Sequence, residues 1–266
     1  YECHDEYMAG GYVTADAAYT MRRYEEAVLQ CADVVITTAR ALYESRGAVN
    51  PNTYLIPNGV DFELFHADTN PPADVSVLPI PRIGYVGAVN QRLDFDMLNE
   101  VASSNGSWSF VFVGPFSWNR LVPRPASLTQ LLQRPNVFYL GTKPYLEMPA
   151  YLRALDALIV PFIKNEAMRA TYPLKLNEYL AAGKPVVSTS FSPDVLEFAS
   201  VVTLAETAQE FSRGIEEAIA NPNVQRIELG RKLAASNSWD NRAEHICEVI
   251  ESLLTSPLRR LQRTAS

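Results

Sequence analysis

Two kinds of apolar block alternate along the chain: short continuous runs that read as buried strands, and longer stretches with apolar residues every three or four positions that read as helices. Residues 14–30 (TADAAYTMRRYEEAVLQ) predict a helix, 31–38 (CADVVITT) a buried strand, 39–47 (ARALYESRG) a second helix and 53–59 (TYLIPNG) another strand. The opening YECHDEY reads as the end of a strand running into a loop, so the chain is expected to begin inside a domain whose first strands lie upstream. Asn58-Gly59 is expected to form a tight turn with positive φ. Residues 67–78 (ADTNPPADVSVL), polar and proline-bearing, read as a linker.

Six strand-like runs follow: PRIGYVGAV, WSFVFVGP, NVFYLG, ALIVPF, KPVVSTS and VVTLA. All but the last are followed by helical or loop-plus-helical sequence, and such alternation predicts a parallel, doubly wound α/β sheet. Three helical stretches close the chain, the last beginning at Ser238-Trp239 with Ser238 as a fair N-cap. The expected division is residues 1–70, 71–236, and a closing helix with a basic tail over 237–266.

The stretch 173–190, PLKLNEYLAAGKPVVSTS, carries the most chemistry. Leu174, Leu176, Tyr179, Leu180 and Ala181 have near-helical spacing, Pro173 stands where a first turn tolerates it, and Gly183 where a helix can stop. Lys175 and Glu178, three apart, share a side of that helix that is not the apolar one. The segment between Phe162 and the helix reads as a polar loop. In parallel α/β sheets ligands bind in such loops, beyond the carboxyl ends of the strands. A helix start there suits an anion through its free N–H groups and dipole, and Lys175 adds a full cation. Glu178 can accept hydrogen bonds from ribose hydroxyls beside a bound phosphate, which together indicate a nucleotide. An ordinary Lys175–Glu178 surface pair, worth about 0.2 to 0.5 kcal/mol, is the competing reading.

Composition sets limits. The 266 residues are 47% hydrophobic and 20% charged, enough for more than one core. A formal charge of −7 argues against nucleic acid as the main partner, which needs a clustered basic surface. Cys3, Cys31 and Cys247 have no paired spacing, so neither a disulfide framework nor a zinc site is indicated, and a reducing compartment is the simpler expectation. No apolar run is long enough to span a bilayer, and no signal peptide is visible. Arg259, Arg260 and Arg263 make a basic tail, a solvated terminus or a point of contact with anionic lipid headgroups.

The run from Pro173 to Ser190, together with IPNGVDFELF (56–65), resembles the GT-B glycosyltransferases of family 4. Glu178 matches the second glutamate of that family's motif, which contacts the donor ribose; the first falls at Ala170, which is not acidic. The resemblance implies the GT-B architecture of two facing Rossmann-like domains: residues 1–70 would be the end of the first, incomplete here, with its hinge, 71–236 the second, donor-binding one, and 237–266 a helix that crosses back, with a basic tail. It implies transfer of a sugar from a uridine- or guanosine-linked nucleotide diphosphate to a glycan or lipid-linked acceptor, with retention of configuration, in cell-surface polysaccharide synthesis. No cofactor and no metal are expected, since in this fold helix dipoles and basic side chains stabilise the leaving diphosphate. The location implied is cytoplasmic, with peripheral contact at the inner face of the plasma membrane left open.

Gly84 and Gly87 end the first strand of the second domain, where bare backbone can approach a pyrophosphate. Arg92 is the only cation in the loop after them, a diphosphate partner beside Lys175 or else an ion-pair partner of Asp94 or Asp96. Gly114, Gly141, Phe162 and Asn165 are expected to line the same edge, with Pro173 and Leu174 at the helix start and Tyr145 against the base. His4 and Asp5 match the His-Asp that many family members carry opposite the donor sugar, Asp5 orienting His4 or anchoring the acceptor. A sugar-nucleotide epimerase of the same shape, and a non-catalytic nucleotide-sugar binding module, are the other readings. Which base, which sugar, which acceptor and which linkage are not legible.

Overall fold

The computed structural model describes residues 1–9 and 13–255. The basic tail lies outside the described residues. Strand β1 (Glu2–Cys3) is followed by helix α1 (Ala15–Cys31), β2 (Val35–Thr37), α2 (Arg40–Gly47) and β3 (Thr53–Leu55). These strands form one parallel sheet in the order β1-β2-β3, each consecutive pair joined by a helix. Thr14 starts α1 by accepting the Ala17 N–H at 3.3 Å.

The connecting segment is more structured than its composition suggests. It holds α3 (Phe62–His66), capped by Asp61, and a short α4 (Ala73–Ser76) inside the expected linker. Val75 is fully buried, and the Asp74 carboxylate accepts from Lys143 at 2.7 Å and from the Tyr151 hydroxyl at 3.1 Å. One apolar anchor and one carboxylate suffice to dock a stretch that reads as polar.

Asn58-Gly59 makes no positive-φ turn; among the described residues positive φ occurs at Gly87, Gly114, Gly141 and Gly183. Gly59 is required by close approach instead. A Cβ there would lie 2.7 Å from the Trp239 backbone, because the Val60 N–H donates to Asn237 at 2.9 Å and the Trp239 N–H to Val60 at 3.2 Å.

The second sheet is built by β4 (Arg82–Val86), α5 (Phe95–Ser104), β5 (Ser109–Val113), α6 (Ala126–Leu132), β6 (Val137–Gly141), α7 (Met148–Arg153), β7 (Ala157–Val160), α8 (Glu166–Arg169), α9 (Leu174–Ala181), β8 (Val186–Thr189), β9 (Thr203–Ala205), α10 (Ala208–Ala220) and α11 (Val224–Ser236). All six expected strands form, and every pairing is parallel. Strands β5, β7 and β8 are buried along their whole length, which is why they read as unbroken apolar runs. The order is β6-β5-β4-β7-β8-β9. The chain winds outward from β4 to β6, then returns to set β7 against the other side of β4, and the crevice beyond the ends of β4 and β7 is where this topology places a ligand.

Helix α12 (Trp239–Thr255) leaves the second sheet and packs Val249, Ile246 and Leu253 on Ile36, Ile56 and Tyr54 of the first. Ser238 accepts the Asn241 N–H at 3.2 Å, the expected cap. The segment before α9 is not simply a loop: it contains α8, started by Asn165, whose side chain accepts the Met168 N–H at 2.8 Å.

Candidate functional site

Helix α9 delivers the site's two charged groups. It turns Leu176, Tyr179, Leu180 and Ala181 into the core and stops where expected, with Gly183 at φ 68° donating its N–H to Leu180 at 3.0 Å. Tyr179 does more than pack: its buried hydroxyl accepts the Val86 N–H at 2.8 Å and donates to the Val86 carbonyl at 3.1 Å. Helix α9 is thereby fastened to the last residue of β4, and the residue that follows is Gly87.

Lys175, in the first turn, lies over that glycine. A Cβ on Gly87, which has φ 154°, would overlap the Lys175 ammonium, and the ammonium sits 5.6 Å from the Tyr85 ring centroid. Glu178 is one turn deeper. Both are half-buried and interact through space without forming an ion pair among the described residues. Burial pushes the Lys175 ammonium below its ordinary value; Glu178 opposes this and Arg92 adds to it. Burial pushes the Glu178 carboxyl up, with Lys175 opposing. The helix start itself offers fewer free amides than expected, since the Leu174 N–H turns back to Tyr172 at 2.9 Å and the Leu176 N–H to Pro173 at 2.9 Å. The cation there is chiefly Lys175.

The strand ends are closely stacked. Gly114, φ 138°, donates its N–H to Gly141 at 2.8 Å, and a Cβ on it would overlap the Gly87 carbonyl. Tyr145 sits half-exposed on a short 3₁₀ turn with its ring edge-on to Phe65 at 5.8 Å. Its hydroxyl is pushed up by burial, then by Glu178 and Asp61, so Tyr145, Glu178 and the α3 cap share one neighbourhood. Phe162 is buried between Tyr85 and Phe191, at 6.3 and 4.9 Å between centroids, and Asn165 spends its side chain on the α8 cap, so packing and capping occupy these two.

Arg92 takes neither of its neighbouring acids. Asp94 caps α5, accepting the Met97 N–H at 2.9 Å, while the Arg92 guanidinium reaches Asp5 beyond the end of β1, with Nη2 3.6 Å from Oδ2. Thr171 also donates to Asp5, at 3.4 Å. Asp5 therefore does not orient His4. The His4 ring, exposed, pairs with Glu2 at 3.3 Å instead. Ala170, where the resemblance has an acid, is buried at the end of α8. Among the described residues no group of three His, Cys, Asp or Glu side chains gathers as metal ligands do.

Residues 80–221, which contain the whole second sheet and α9, match the family described as glycosyl transferases group 1. The chain belongs to this family. Its similarity to known proteins extends beyond the matched segment. TuaH of Bacillus subtilis (strain 168), named as a teichuronic acid biosynthesis glycosyltransferase, is 30% identical over 228 residues, covering 80% of this chain and 55% of TuaH. The chain thus spans about half the length of that curated relative. Among solved structures, HepE of Anabaena in complex with UDP-glucose superposes with a TM-score of 0.73 at 16% identity, over 95% of this chain and 71% of HepE. Sucrose-phosphate synthase from Thermosynechococcus elongatus gives 0.69 at 20% identity, over 95% and 67%. At these identities the likeness establishes the fold, which is the GT-B type of the group 1 glycosyl transferases.

Proposed function

We propose that the chain binds a nucleotide-diphosphate sugar and serves a glycosyltransferase that moves the sugar to a glycan or lipid-linked acceptor in cell-surface polysaccharide synthesis. The observation that carries the reading is the Lys175 ammonium lying over Gly87 at the β4/β7 switch point, with Glu178 one helical turn deeper. Lys175 meets the diphosphate, Glu178 the ribose hydroxyls and Tyr145 the base. In the reaction the bond from the sugar's anomeric carbon to the diphosphate oxygen breaks, a bond to the acceptor hydroxyl's oxygen forms, and that hydroxyl's proton passes to the departing diphosphate. The leaving diphosphate's charge falls on Lys175 and on the guanidinium of Arg92, which requires no bound metal. A uridine or guanosine donor, retention of configuration, a family 4 relationship and a cytoplasmic site of action belong to this reading; UDP-glucose bound to HepE and the naming of TuaH support it.

Titration of UDP, GDP and their nucleosides into wild type and Lys175→Ala tests it. Lys175→Ala is expected to weaken the diphosphate by about 1.5 to 3 kcal/mol, the worth of a hydrogen bond to a charged group, with little change for the nucleoside. Equal losses for both ligands remove Lys175 from the site, and a wild type that binds neither diphosphate removes the reading.

A further inference from the structure

Two cations, Lys175 on α9 and Arg92 in the loop after β4, stand beyond the strand ends of one sheet, and among the described residues Arg92 forms an ion pair while Lys175 does not. That carboxylate, Asp5, comes from the other sheet. It is held from two sides: by Arg92 in the loop after β4 and by the Thr171 hydroxyl between α8 and α9, the two segments that frame the switch point. The three side chains border one cavity of about 260 Å³, with Tyr7, Ala167 and Met168. The ion pair is loose, with 3.6 Å between Nη2 and Oδ2 and side-chain exposures of 33% and 27%. A pair this open holds its partners weakly, whereas a diphosphate offers a guanidinium two phosphoryl groups and bidentate geometry.

We infer that Asp5 stands in for the donor's diphosphate: it neutralises Arg92 in the ligand-free cleft, and donor binding transfers the Arg92 guanidinium from the Asp5 carboxylate to the diphosphate. This rests on the donor reading above and deepens it. The consequence is a negative coupling between Asp5 and the donor. The carboxylate competes for the cation that the ligand needs, so removing it tightens donor binding. One tie between the two sheets is exchanged each time the site fills, which links occupancy to how the first sheet is held against the second.

Titrations of UDP and GDP, with uridine and guanosine as controls, into wild type, Asp5→Asn, Arg92→Ala and the double variant at low ionic strength test the exchange. Asp5→Asn is expected to bind the diphosphate about two- to five-fold tighter, the range of a partly exposed ion pair, with the nucleosides unchanged. Arg92→Ala is expected to bind more weakly, and on that background the gain from Asp5→Asn is expected to vanish. Asp5→Ser, with the same expectation, serves if the asparagine variant melts early. Unchanged or weaker diphosphate binding by both Asp5 variants overturns the exchange, as does a gain that persists without Arg92. Wild type that binds neither diphosphate sinks the donor reading and this inference together; wild type that binds, beside Asp5 variants that do not gain, sinks this inference alone.

Discussion

Glu178 and Lys175 are pushed in opposite directions by the same burial, the carboxyl up and the ammonium down, because burial disfavours the charged form of each. Both shifts disfavour the charged form in the fold. For Glu178 that cost is present above its raised value and is relieved as pH falls through it; for Lys175 it is present below its lowered value and is relieved as pH rises through it. A ligand bringing phosphate to one and hydroxyl donors to the other reverses both. If Glu178 accepts from the ribose, 2′-deoxy-UDP is expected to bind wild type about 1.5 to 3 kcal/mol more weakly than UDP. In Glu178→Ala the two nucleotides become nearly equal, a coupling read from a double-mutant cycle. The wild-type preference is also expected to fade as pH falls through the raised Glu178 value, above the ordinary 4.5, because a protonated carboxyl loses acceptor capacity. Additive losses in the cycle sink the ribose role.

At the scale of the element, α9 is only as well placed as its attachment to β4. The Tyr179 hydroxyl satisfies both backbone groups of Val86, one residue before the glycine beneath Lys175. Tyr179→Phe keeps the ring but strands a buried N–H, at an expected cost of about 1 to 3 kcal/mol in urea unfolding. Helix α9 then loses its register on β4, so UDP affinity should fall by more than uridine affinity. A variant as stable as wild type shows the clamp to be dispensable. This hydroxyl was not legible in the sequence, where Tyr179 counts simply as one apolar position among Leu176, Leu180 and Ala181. The strands were legible because a sheet covered on both faces demands unbroken apolar runs, and the end of α9 because Gly183 takes the left-handed conformation that glycine permits. What stayed hidden depends on partners far along the chain: Gly59 against Trp239, Asp74 on Lys143, Asp5 on Arg92. The His4-Asp5 pair looks like a unit in sequence, and different partners separate it: Glu2 for His4, Arg92 for Asp5. Helix α8 went unseen because four residues carry no period, although Asn165 three residues before Met168 is a cap signal.

At the scale of the whole molecule the two sheets are joined by polar contacts that each element alone does not need. Asn177 of α9, fully buried, accepts from Asn237 at 2.9 Å, and Asn237 accepts from Arg242 of α12 at 2.6 Å, so the site helix is tied to the crossover helix. On the opposite flank, Asp194 of the second sheet's domain, 1% exposed, accepts the Arg40 N–H with both oxygens, at 3.1 and 3.2 Å. Arg40 begins α2, whose own N-cap residue, Ala39, has no side-chain oxygen to offer. The cap comes from the other side of the cleft. Asp194→Ala is therefore expected to cost about 0.5 to 2 kcal/mol, the usual range for a lost cap, and to raise hydrogen exchange in the first turn of α2. Glu197→Ala, breaking the exposed Arg40–Glu197 pair, should cost no more than about 1 kcal/mol. The pH dependence separates a buried charge from a surface one. Burial, the largest cause, holds the Asp194 carboxyl above its ordinary 3.8. Between that value and the raised one the native state binds the proton that the unfolded state has released, so this group's contribution makes stability fall as pH rises through the interval. Asp194→Asn keeps an acceptor and removes the proton. Urea unfolding of both proteins across that interval should give a wild-type-minus-variant difference that declines with rising pH and levels off above the raised value. A difference that is flat or that climbs would mean that Asp194 is ionised at least as easily in the fold as in the open chain, and that the Arg40 N–H offsets the cost of burying its charge.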